Sequence, residues 1–355
     1  MIARARYDNS QSTARARVIA LVAQAENAYW QAVSNRESLA VQENNLELRR
    51  KFLARSQREL ELGAISPLDI YQPEQNYANA QVSVTRARYQ LQQAEDRLRR
   101  QMGADLDAAV RNLPLVLTES ADPPIYMPTF EPEETIRKAL EMRPEVRLRR
   151  TTLAIDDYNI KRDTNALRPD LALTAQYSAT GLGGNLYENS ILGAGRSQLI
   201  SSGGFPTAMD QLLRFAFPTY SMGLQLSLPL RNRRAAADLA NSVLQKKRNM
   251  YELRALEQEV RLGVLNAITG VELSKAAIQQ AAVALDFSQK RLDAEQRKYD
   301  LGVSTAFIVL DAQDDLVQSQ ADLLQESIGY RRAMVTLLQS TGELLEARGV
   351  TLSFN

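Results

Sequence analysis

The side chains able to do chemistry in this chain are few in kind: carboxylates, amines, guanidiniums and hydroxyls. Its 355 residues include no cysteine and no histidine. That excludes cysteine nucleophiles, Ser-His-Asp triads, disulfides and zinc sites built on Cys or His. A carboxylate-only site is left, but Asp and Glu fall mainly on the polar faces of helical patterns and do not converge. No catalytic residue, metal ligand or cofactor is assigned. Lys and Arg number 43 against 42 for Asp and Glu, a net charge of +1, so nothing argues for nucleic acid or an acidic partner. The distinctive polar residues gather at two sharp breaks in otherwise helical sequence. One holds Leu62, Gly63, Ser66 and Asp69; the other holds Tyr299, Leu301, Gly302, Ser304 and Thr305, with Asp311 shortly after.

The elements that carry these breaks are long helices. Ala, Leu, Gln, Arg and Glu dominate, and Gly (16) and Pro (12) are few, a mix that favours helix. Sliding the sequence by 239 residues pairs Leu62-Gly63 with Leu301-Gly302, Gln57-Arg58 with Gln296-Arg297, and Gly103 with Gly342, without a gap. This register predicts a duplicated helical hairpin. The first copy runs from about Ser10 to Leu62, is capped by Gly63, and restarts at Ser66-Pro67-Leu68-Asp69, with Pro73 expected to bend the second helix. The second copy runs from Asn232 to Leu301, a helix of roughly 100 Å at 1.5 Å per residue, and restarts near Thr305. Val303, Leu310, Val317 and Leu324 form a heptad seam, with Phe307, Ala321, Ile328 and Val335 interleaved and Asp314 interrupting. An antiparallel coiled coil and a cylinder of two side-by-side hairpins both satisfy this pattern. The turns cap and start helices, and exposed turns at the end of a rigid coiled coil are also natural docking points.

Between the copies the period changes. Leu113 to Pro132 is proline-rich linker, Glu133–Met142 and Glu145–Leu167 read as helices, and then residues alternate. Leu171, Leu173 and Tyr177 form one apolar strand face; Tyr220, Met222, Leu224, Leu226 and Leu228 form another. A soluble sheet on a core gives this alternation. So does a tilted transmembrane strand of about ten residues, for which Tyr177, Phe215, Phe217 and Tyr220 would be the aromatic girdle and the long intervening loop a surface loop. The basic run Arg231-Asn232-Arg233-Arg234 then marks a membrane boundary or a solvated face. No run of 18 apolar residues exists, and MIARARYDNS lacks the apolar core of a signal peptide. The chain is therefore expected to be cytosolic, or a mature or shortened form of a longer one.

Four stretches carry a family resemblance: Arg143-Pro144-Glu145-Val146 with Leu167-Arg168-Pro169-Asp170-Leu171; Gly223-Leu224-Gln225-Leu226-Ser227-Leu228-Pro229-Leu230; Tyr299-Asp300-Leu301-Gly302 with Leu310-Asp311-Ala312-Gln313; and Leu62-Gly63-Ala64-Ile65-Ser66 with Asp69. In this order, on a duplication, the sequence resembles the TolC family of outer-membrane efflux channels. The resemblance implies a mainly α fold: two long antiparallel helical hairpins forming a coiled-coil α-barrel, plus a short transmembrane β-hairpin, in a homotrimer. It divides the chain into a first hairpin (1–103, tip 62–69), a linker (104–132), helices leading to the barrel (133–167), a β-hairpin (168–230, extracellular loop 181–214), a second hairpin (231–345, tip 299–305) and a tail (346–355). It implies a passive outer-membrane exit duct, with a long periplasmic portion, in a tripartite efflux or type I secretion system, exporting small molecules or proteins. The partners implied are a periplasmic adaptor, an inner-membrane pump and outer-membrane lipid. The family's leading helix and first strand pair have no counterpart here; three such chains supply six strands rather than twelve, so truncation is expected. By resemblance, Leu62, Gly63, Ser66, Leu301, Gly302, Ser304 and Thr305 meet the adaptor. Asp69 and Tyr299 hold the closed aperture by a hydrogen bond, and Asp311 forms a cation-attracting ring, with Ile308 in place of a second acid. The rival readings are a first-turn Asp69 complementing its helix dipole, a solvated Asp311, and a non-conducting periplasmic coiled-coil adaptor or scaffold.

Overall fold

The computed structural model describes residues 2–107, 109, 113–188, 198–228 and 232–353. In chain order the elements are α1 (Ile2–Glu61), α2 (Tyr71–Gln101), α3 (Pro132–Met142), α4 (Pro144–Asn165), β1 (Asp170–Ala179), β2 (Leu186–Glu188), β3 (Gln198–Ser201), α5 (Phe205–Leu213), β4 (Pro218–Ser227), α6 (Arg233–Asp300), α7 (Ala306–Thr341) and α8 (Leu344–Ala347). Two compact units share them: residues 1–154 with 248–355, and residues 155–247. No helix among the described residues is long and apolar enough to cross a membrane.

In the first unit the helices pack along heptad stripes. On α2 the buried positions are Pro73, Ala80, Val84, Ala87, Ala94 and Leu98; steps of three, four and seven keep one face toward α1. Ala32 and Ala94 in that interface are almost fully buried, and their small side chains let the two backbones approach closely. Three apolar clusters hold the rest. Val260, Val264 and Val271 of α6 meet Tyr330 and Leu337 of α7, with Ile136 and Ala139 of α3 packed on them. Ile19, Trp30 and Val33 of α1 meet Ile328 and Val335 of α7 and Leu344 and Leu345 of α8. Phe52, Leu292, Val309, Leu310 and Leu316 form the third.

The duplication is visible in the caps. Gly63 (φ 70°) and Gly302 (φ 71°) are left-handed, as are Gly103 (71°) and Gly342 (80°). At Gly63 the N–H bonds Leu60 O and the Ala64 N–H bonds Glu59 O; at Gly302 the pairs are Tyr299 O and, from Val303, Lys298 O. Both are Schellman caps, closing the last carbonyls with one residue that a Cβ would strain.

Several expectations are corrected. α1 begins at Ile2, not Ser10, because nothing in the first ten residues interrupts a helix. α2 begins at Tyr71, since Ser66 to Ile70 form a turn; Pro73 is thereby the third helical residue, where its missing N–H costs nothing, and no kink is required. The α7 seam holds at Leu310, Ile328 and Val335, which are buried, but not at Val303 and Phe307, which are exposed at its start, and Val309, Ala312, Gln313 and Leu316 are buried beside it, because α7 is covered by both α1 and α6 and buries two faces. α8 straddles the expected boundary at 345/346 and anchors the tail through Leu344 and Leu345.

In the second unit, β1 and β4 pair antiparallel from Asp170↔Ser227 to Ala179↔Pro218. β4 ends at Ser227, so Leu228 lies just past the strand. Among the described residues of 181–214, β2 pairs with β3, and α5 follows. Residues 189–197, and Pro229 to Arg231 of the exit and basic run, lie outside the described residues. Asn232 starts α6 by accepting the Ala235 N–H at 3.0 Å.

Candidate functional site

The two hairpin turns lie at the same end of the first unit. Arg55, two turns before Gly63, bonds Asp300, two residues before Gly302. Leu62 and Leu301, each just before its glycine, are 84% and 79% exposed. Ser66 and Asp69 close their turn on each other: Asp69 Oδ2 accepts the Ser66 N–H at 3.2 Å, and Ser66 Oγ accepts the Leu68 N–H at 3.3 Å. Thr305 is the exposed, extended residue before α7 and makes no side-chain cap bond. Ser304 turns inward and donates to Glu295 Oε2 at 3.0 Å. Hydrogen bonds from Lys298 and Ser304 hold the Glu295 carboxyl below the usual range. Gly63, Gly302, Leu62, Leu301, Ser66 and Thr305 are thus presented to solvent, and Ser304 is half-buried.

Tyr299 does link the hairpins, with a different partner from the one expected. Its hydroxyl donates to Glu59 Oε2 at 2.7 Å, and Glu59 also receives Arg55 Nε at 2.7 Å. The Arg55 guanidinium stands 4.7 Å from the Tyr299 ring centre, and Phe52 lies 5.7 Å away on α1. Asp69 keeps its carboxylate for the local turn. Burial, then the bond to Glu59, pushes the Tyr299 hydroxyl up to about 12, so it stays a protonated donor at any ordinary pH. Asp311 is ion-paired: Arg291 of α6 donates to its Oδ2 at 2.7 Å and also reaches Asp315.

One partnership escaped the sequence reading altogether. Arg49 is buried on α1 with a side chain 3% exposed, and reaches Asp314 Oδ1 at 2.5 Å, Asn45 at 3.2 Å and Leu310 O at 3.3 Å. Burial lowers the Arg49 pKa, against which the Asp314 charge works. The acid that interrupted the α7 seam is therefore there to pair a buried cation. Asp314 itself is 70% exposed, so the buried Arg49 is the group that requires a counter-charge, and no sequence pattern marks which Arg is buried.

In the second unit the ladder puts Leu171 opposite Leu226, Leu173 opposite Leu224, Ala175 opposite Met222 and Tyr177 opposite Tyr220. Directly paired residues share a face, so all eight lie on one side of the hairpin. No described residue covers that side: Leu173, Met222 and Leu224 are exposed, and β4 is exposed throughout. The reading as a soluble sheet on a core is not realised. Tyr177 stacks near Tyr220 (5.1 Å) and Phe215 (6.1 Å), gathering aromatic rings at one end of the ladder.

The sequence matches the outer membrane efflux protein family over residues 1–104 and 135–343. It is 25% identical over 321 residues to the outer membrane efflux protein BepC of Brucella suis, covering 90% of this chain and 63% of that protein. To the probable efflux pump outer membrane protein TtgC of Pseudomonas putida it is 22% identical over 341 residues, 95% of this chain and again 63% of the relative. The chain thus spans under two-thirds of the length of these relatives. In fold it is similar to a membrane protein from Pseudomonas aeruginosa (TM-score 0.76, 21% identity, 96% of this chain, 72% of that one). It is also similar to the Campylobacter jejuni CmeC outer membrane channel (TM-score 0.73, 14% identity, 96% and 66%). With its duplicated hairpins and uncovered strand face, the chain belongs to the outer membrane efflux protein family.

Proposed function

We propose that this chain forms a passive exit duct in the outer membrane, serving a tripartite efflux or type I secretion system. The observation that carries the reading is the strand face. Eight apolar or small residues stand in register on one side of a two-stranded ladder that the chain leaves bare. An isolated two-stranded sheet is marginal in water, and both its outer edges are unpaired. Lipid on the apolar side and neighbouring strands on the edges resolve both problems.

The neighbours are further copies of the chain. α2 carries exposed Tyr71, Val82 and Tyr89, and α6 carries exposed Tyr251, Leu262, Leu273 and Phe287. The stripes differ, so they mate head to tail, and a head-to-tail contact that closes makes a ring. A homotrimer is the family's arrangement. The exposed tips at Leu62, Gly63, Ser66, Leu301, Gly302 and Thr305, with Ser304 behind them, then face a periplasmic adaptor that connects to an inner-membrane pump. Tyr299 with Glu59 and Arg55 holds the aperture closed, Asp69 stiffens the adjoining turn, and a ring of Asp311 residues, each tempered by Arg291, lines the passage. A charge-assisted bond contributes on the order of 1.5–3 kcal/mol when sheltered and less at a wet tip. Three copies hold the closed form by a few kcal/mol, which an adaptor must match by preferring the open form.

The test is conductance. Because three copies of this chain supply only six strands, the test uses a full-length channel: in planar bilayers it is expected to give discrete steps, and Tyr299→Phe to raise them without lowering trimer yield, since it removes only the hydroxyl. Absence of steps overturns the duct. Unchanged conductance in both Tyr299→Phe and Asp69→Ala overturns this account of the aperture.

A further inference from the structure

A cavity of about 600 Å³ opens in the first unit between α1, the proline-rich segment and α7. None of the tip or aperture residues lines it, and its volume falls in the range, roughly 300–1,000 Å³, that takes small organic molecules. Its wall is aromatic, with Tyr29, Trp30, Tyr126 and Tyr330. Tyr29 and Trp30 meet edge to face with ring centres 5.6 Å apart.

Two charges in that wall lack an ion pair among the described residues, Arg331 and the Glu119 carboxylate, and of these only Arg331 can hold an anion. The Arg331 guanidinium lies 5.3 Å from the Trp30 ring centre. It is half-buried, makes no ion pair among the described residues, and its Nε is buried without a partner. Glu26 and Arg348 neutralise each other, and Glu119 has a hydroxyl partner. Glu26 receives Arg348 Nε and Nη2 at 2.6 and 2.9 Å, and the Glu119 carboxylate receives the Thr118 hydroxyl at 3.0 Å. A guanidinium stacked by one face on an indole still offers its edge N–H groups, in the fork that fits two oxygens of an anion. A ligand with one such anion and a flat apolar body supplies what each part of the wall lacks.

We propose that this cavity binds planar aromatic anions, carboxylates or sulfonates, with Arg331 holding the charged group and Trp30, Tyr29 and Tyr126 flanking the ring. The site does not depend on the duct reading; a chain that conducted nothing would still carry it.

Trp30 is the only tryptophan, so its emission reports on this cavity alone. The full chain in detergent is titrated with 4-nitrobenzoate, a static quencher, and in parallel with 4-nitrobenzyl alcohol and 4-nitrobenzylammonium. The expected result is saturable quenching by the anion, with the neutral and cationic analogues binding at least about tenfold more weakly, a gap of about 1.4 kcal/mol. Arg331→Gln is expected to abolish that preference. Tyr126 is exposed at the rim, so Tyr126→Ala leaves the fold untouched and is expected to weaken the anion several-fold even if Arg331→Gln fails to fold. Equal quenching by all three compounds, equal affinity in Arg331→Gln or in Tyr126→Ala, or no saturation overturns the proposal.

Discussion

At Tyr299 the protonation state is set by the groups that surround the hydroxyl. Burial and the Glu59 carboxylate both oppose the phenolate, and the hydroxyl is pushed up to about 12. A pKa raised above its unfolded value favours the protonated form on folding, so this contribution is complete below about pH 10 and is lost as pH climbs through about 12. The difference in 295 nm absorbance between wild type and Tyr299→Phe, followed with pH, is expected to show that midpoint. Glu59→Gln is expected to bring it down toward 10; a midpoint already near 10 in the wild type would mean the hydroxyl is not bonded to Glu59. The neighbouring Arg55–Asp300 pair is largely exposed, 42% and 54%, and contributes little to stability by itself.

At the scale of elements, the caps make the sharpest claim. Gly63 and Gly302 share a left-handed φ, and a Cβ at either would meet no atom within 4 Å. Alanine there costs only backbone strain, about 1–2 kcal/mol, and the two costs are expected to match because the caps do. Gly263 and Gly270 lie inside α6 with the same open space. Alanine at either is expected to stabilise by roughly 0.5–1 kcal/mol. Denaturant unfolding followed by circular dichroism reads both signs. This contrast also marks what the sequence can disclose. Heptad stripes, glycine caps and strand alternation are local, and they placed the hairpins, the tips and the β1 and β4 strands. Arg49–Asp314 and Tyr299–Glu59 join residues 265 and 240 positions apart, and no local pattern selects one Arg or Glu among many on a polar face. The start of α2 was misplaced because Ser66-Pro67 reads as a helix start while the bonds it makes close a turn. In 181–214, short strands among Gly and Ser carry too few alternations to register.

At the scale of the whole molecule, the exposed stripes on α2 and α6 are the test of assembly. Val82→Lys and Leu273→Lys each set a charge in the proposed seam between copies. Either is expected to shift the protein from trimer to monomer by light scattering in detergent, with helix content unchanged; a trimer that survives both substitutions places the interface elsewhere. The packing of α1 has a further consequence, in time. Helix α1 finds Ile328, Val335, Leu344 and Leu345 as its core partners, and after synthesis Glu26 waits 322 residues for Arg348. At about 5–20 residues per second, that delay is roughly 15–65 seconds, during which Trp30 and Val33 have no native cover from the C-terminal helices. A nascent chain of this design needs a holding factor for α1, and its yield should track the speed of synthesis.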